Sequence, residues 1–151
     1  MEQKVKALDV AEWFVQKAIV DTSNGGEYMT QLKLQKLLYY AQGFFMAVNG
    51  GAKLFDETIE KLQYGPVVKE LQTILSKYKN NPITKSLGGN ASRFDNRTLA
   101  ILQFVYDKFG QFSASRLVTM THDEKPWIDT EFNKEIMPEI IFKFFKQNYV
   151  N

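Results

Sequence analysis

The chain has no cysteine, a single histidine and a net charge of only +2 across 151 residues. Each shortage removes a class of chemistry. Without cysteine there are no disulfides, no zinc–thiolate sites and no cysteine nucleophile. With one histidine, His122, a metal site would have to be built from carboxylates, and Asp123 and Glu124 follow the ring directly instead of at metal-ligand spacing. No segment carries the Asp/Glu pattern of a calcium loop. Long apolar runs are also missing. No stretch approaches the ~20 apolar residues that span a bilayer. Met1 to Leu8 alternates charged and short apolar residues and lacks the apolar core of a signal peptide. The sequence therefore predicts a cytoplasmic protein without a membrane partner.

Enzyme signatures are equally sparse. Ser113, Ser115, Thr119 and Thr121 lie near His122, but none sits in a Gly-x-Ser-x-Gly nucleophile turn. Gly25-Gly26, Gly50-Gly51 and Gly88-Gly89 are not followed by Gly-Lys-Ser/Thr and complete no Gly-x-Gly-x-x-Gly. They read as helix stops and loops. Asp56, Glu57 and Glu60 lie in a polar, surface-like segment and form no recognisable acid pair. The expectation is no catalytic residue, no cofactor and no bound metal. Nucleic-acid binding calls for a clustered basic face. The nearest approach is Lys77, Lys79, Lys85, Arg93 and Arg97 against Asp95, in a stretch broken by Pro82 and two glycines.

What is abundant is core material: 44% of residues are apolar, including 12 Phe, 7 Tyr and 2 Trp. A chain of this length buries roughly two-thirds of its extended surface and folds as one domain, here residues 1–151. Apolar spacing is mostly helical. Asp9 is the expected cap of a first helix running to about Asp21, with Leu8, Ala11, Val15, Ala18 and Ile19 on its inner face and Asn24-Gly25-Gly26 ending it. Thr30 is the expected cap of a second helix, about residues 30–49. That helix is apolar on two sides, along Leu34, Leu37, Leu38, Ala41, Phe44, Phe45, Val48 and along Leu32, Tyr39, Met46, which marks it as central. A segment near 53–64 allows extended structure. Pro66 then suits the first turn of a third helix carrying Val67, Leu71, Ile74 and Tyr78. Residues 80–96 are loop-rich. Asp95 or Asn96 caps a fourth helix to Phe109, Ser113 a fifth, and an amphipathic helix covers about 138–149. In that last helix Ile136, Ile140, Ile141, Phe144 and Phe145 form a wide apolar arc, either a partner surface or a face docked on the core. The predicted fold is mainly α, about six helices around the buried second helix.

Three segments, taken in order, add a resemblance. They are Leu32-Lys33-Leu34-Gln35-Lys36-Leu37-Leu38-Tyr39-Tyr40-Ala41-Gln42, then Gln63-Tyr64-Gly65-Pro66-Val67-Val68-Lys69-Glu70-Leu71, then Leu117 to Trp127 with Thr121-His122-Asp123-Glu124-Lys125-Pro126-Trp127. At this spacing they resemble the Panacea antitoxin domain, also described as SocA-like or phage-associated GepA-like, over about residues 8–127. One departure is Leu62, where the family usually carries tryptophan. The resemblance implies an antitoxin of a type II-like toxin–antitoxin pair. Such a protein binds and neutralises a cognate toxin protein encoded beside it, without a cofactor. It implies fold-maintaining roles for Leu34, Leu37, Tyr40, Tyr64, Gly65, Pro66, Val67, Pro126 and Trp127. Lys36, Tyr39, Gln42 and His122 are the candidate partner-binding residues, because polar tips on such segments need partners. Self-association is compatible with this reading. The alternative is a phage- or prophage-associated DNA-binding or regulatory protein, although no helix-turn-helix with a basic recognition helix is visible.

Overall fold

The computed structural model describes residues 4–23 and 25–150. The Met1–Gln3 part of the N-terminal reading, and Asn24 in the first helix stop, fall outside them. The described residues form one mainly helical domain with a small two-stranded sheet. The helices are α1 (Ala7–Thr22), α2 (Gln31–Val48), α3 (Gln72–Leu75), α4 (Asn96–Phe109), α5 (Ala114–His122), α6 (Lys125–Ile128) and α7 (Pro138–Asn148). The strands are β1 (Ile59–Leu62) and β2 (Gly65–Val68), paired antiparallel with Leu62 opposite Gly65.

Helix α2 is the axis of the domain, as its two apolar stripes predict. It packs against α1, α4, α5, α7 and β2. Thr30 caps it by accepting from the Lys33 amide. Every residue from Leu34 to Phe44 is buried. Gly43 makes room for α7, because a Cβ there would overlap the Phe145 ring. That ring meets Tyr39, Tyr40 and Phe44 edge-on at centroid distances of 5.4, 5.9 and 5.3 Å. Tyr40 in turn stacks on Phe109 of α4 at 4.0 Å. Ile136, Ile141 and Phe145 are fully buried, and Ile140 and Phe144 half-buried. The apolar arc of α7 is therefore core, not a free docking surface.

Three local expectations are corrected. Asp9 does not cap α1 from outside. The helix starts after Lys6, and Asp9 reaches back from the first turn to the Lys6 amide at 3.0 Å. Its other oxygen, Oδ1, accepts from Asn90 N at 2.9 Å, and Arg93 pairs with Oδ2 at 2.9 Å. Burial works to raise the Asp9 pKa, but these hydrogen bonds and the Arg93 charge outweigh it and hold the pKa below the ordinary value. Glu12 accepts from Leu87 N at 2.6 Å. Asp9 and Glu12 thus tie the loop-rich 80–96 segment onto α1.

The second correction concerns Pro66. It lies inside β2, not in a helix, and the chain turns helical only at Lys69. Proline is tolerated there because its missing N–H faces away from β1. Lys61 opposite Pro66 makes its backbone bonds to the other side, donating to Lys134 O at 3.0 Å and accepting from Asn133 N at 2.8 Å. The third follows from it: the expected long third helix is reduced to α3 between two 3-10 turns, Lys69–Leu71 and Ser76–Tyr78.

Candidate functional site

The three motif segments converge on the β1–β2 hairpin. Its tip is the two-residue turn Gln63-Tyr64, closed by Gly65 at φ +109°, a backbone region that favours glycine. Space demands glycine as well: a Cβ would sit 2.7 Å from Lys36 Cε and 2.8 Å from Thr121 Oγ1. The hairpin is thus pressed against both α2 and α5.

A two-stranded sheet has two open edges whose polar groups must be satisfied. The edge of β1 is covered by the 133–136 segment, where Ile136 N also donates to Ile59 O at 2.7 Å. The edge of β2 is covered by side chains of α2. Gln35 behaves like a strand residue: its Oε1 accepts from Val68 N at 2.8 Å and its Nε2 donates to Val68 O at 3.3 Å. Pro66 has no N–H, so only its carbonyl needs a partner, and Lys36 Nζ donates to it at 3.0 Å. Burial pushes the Lys36 amine down to a pKa of about 7.

Lys36, Tyr39 and Gln42 are therefore not a partner surface in this conformation. All three are buried. Gln42 holds the 54–55 segment, accepting from Leu54 N at 2.7 Å and donating to Phe55 O at 2.7 Å. Tyr39 donates to Glu124 Oε1 at 2.9 Å. The polar tips do have partners, as burial requires, and those partners are within the chain.

Glu124 carries a structural role that the sequence did not disclose. It is buried, and Tyr40 and Tyr149 also donate to it, at 3.0 and 2.6 Å. Burial raises its pKa, and the three tyrosine hydrogen bonds only partly counter this. Burial beside this acid also pushes all three phenols upward. The cluster joins α2, the start of α6 and the end of α7.

On the opposite flank of the hairpin, Trp127 Nε1 donates to Leu62 O at 3.0 Å. The His122 ring stacks on Trp127 at 4.0 Å and its Nε2 donates to Gln63 O at 3.0 Å. Lys61, itself buried, places its ammonium 4.0 Å from the Trp127 ring centre and 4.5 Å from that of Phe132. His122 thus steadies the turn, and its half-buried ring contributes to the rim of the face. Of the residues expected to maintain the fold, Leu34, Leu37, Tyr40, Gly65, Pro66, Val67 and Pro126 are buried and Trp127 is half-buried. Tyr64 departs from that expectation: it is 58% exposed at the hairpin tip.

Between the hairpin and the N-terminal half of α2 lies a cleft of about 600 Å³. Its walls include Leu32, Leu62, Tyr64, Val67, Gln31 and Lys79. Lys79, at φ +52° and ψ −122°, occupies a backbone region that costs a non-glycine residue about 1–3 kcal/mol. Gln31 Nε2 holds its carbonyl at 2.8 Å. Such strain is found preferentially at binding and switch sites. Among the described residues no three His, Asp or Glu side chains gather as a metal site would need.

Comparison with known protein families matches residues 34–128 to the antitoxin SocA-like Panacea domain. The match contains α2 from Leu34, the hairpin, α4, α5 and α6, and it covers most of the chain. The protein belongs to the SocA-like Panacea antitoxin family. Helices α1 and α7, which pack on α2, lie outside the matched span. Comparisons with curated proteins and with solved structures gave no match.

Proposed function

We propose that this protein neutralises a toxin protein encoded beside it, by stoichiometric binding in the cytoplasm, without catalysis and without a cofactor. The observation that carries this reading is the family match over residues 34–128. Two features of the molecule support it. The motif residues build a rigid hairpin whose tip exposes Tyr64, with Ile128 and Phe132 also exposed beside Trp127. Exposed aromatic and aliphatic side chains held on a rigid support are what protein interfaces use as anchors. No helix among the described residues is long and apolar enough to cross a membrane.

The binding surface would need to bury about 1,200–2,000 Å² in a stable complex. The hairpin face supplies a centre for such a patch. The DNA-binding alternative has less support, because Arg93 of the 77–97 stretch is paired with Asp9. The test is co-expression. Each neighbouring gene is induced alone, then together with this chain. The reading expects one product that arrests growth, restored growth on co-expression, and copurification of the two proteins. Persistent arrest with this chain abundant and folded would refute it.

A further inference from the structure

We draw no further inference here: the strongest candidate, the cleft between the N-terminal half of α2 and the β1–β2 hairpin, presents apolar walls and a single exposed cation, Lys79, and nothing in the structure shows what covers it.

Discussion

Replacing Lys36 with methionine should flatten the pH dependence of stability between pH 7 and 9. The lysine amine is buried beneath the edge of β2, and burial lowers its pKa from 10.5 to about 7. A folded-state pKa below the unfolded one means stability present at high pH and lost as pH falls through the folded value. Between pH 7 and 9 the unfolded chain holds a proton that the folded chain is releasing. Stability then rises with pH at close to the limiting slope of about 1.4 kcal/mol per unit. Integrated over the two units, with the folded amine half-protonated at pH 7, the gain is about 2 kcal/mol. The phenols around Glu124, all shifted upward, titrate above this window. Urea unfolding at pH 7, 8 and 9, followed by the fluorescence of Trp13 and Trp127, gives the measurement. The wild type should gain stability across the range, and Lys36→Met should gain about 2 kcal/mol less. The variant also loses the bond to Pro66 O, an offset of about 1–3 kcal/mol that does not vary with pH. Parallel pH profiles for the two proteins would refute the reasoning, because Lys36 would then be titrating as it does in water.

Glu124→Ala should destabilise the domain by about 3–5 kcal/mol, because it strands the hydroxyls of two buried tyrosines, Tyr39 and Tyr40, and of the half-buried Tyr149. Denaturant unfolding reads this directly, and a loss below ~1 kcal/mol would remove Glu124 from its role as the joint between α2 and α7. Gly43→Ala should cost about 1–3 kcal/mol by forcing the Phe145 ring out of place. Adding Phe145→Leu should recover part of that loss, and a strictly additive double variant would show that the two sites do not share one contact.

Much of the architecture is legible in the sequence. The caps Thr30, Asp95 and Ser113 each accept from the amide three residues on. The two-sided apolar pattern of α2 announces a central helix, and burial from Leu34 to Phe44 follows from it. The hairpin is harder to read. Pro66 is as characteristic of a helix start as of a strand, and two short strands leave no long alternation. A signal was present in the β-branched pairs Thr58-Ile59 and Val67-Val68 on either side of a turn ending in glycine. The misplacement of Lys36 and Gln42 has a different cause. Polar residues on a helix look solvent-facing until their partners are known. Gln35 meets Val68 across 33 residues of sequence, and Gln42 meets Phe55 across 13. Glu124 was overlooked for the same reason, since its tyrosines come from 84, 85 and 25 residues away. The face itself was only half visible. The motifs containing Tyr64, His122 and Trp127 stood out, but their convergence on one hairpin is tertiary information.

The most direct measurement titrates this purified protein into a fixed amount of the growth-arresting neighbour, with the toxin's own activity as readout. Neutralisation by binding gives a linear loss of activity that reaches zero at a fixed molar ratio, with both chains recovered intact in one complex. Complete inactivation by a small fraction of that amount would point to turnover. No loss at any ratio, with both proteins folded, would contradict neutralisation by binding.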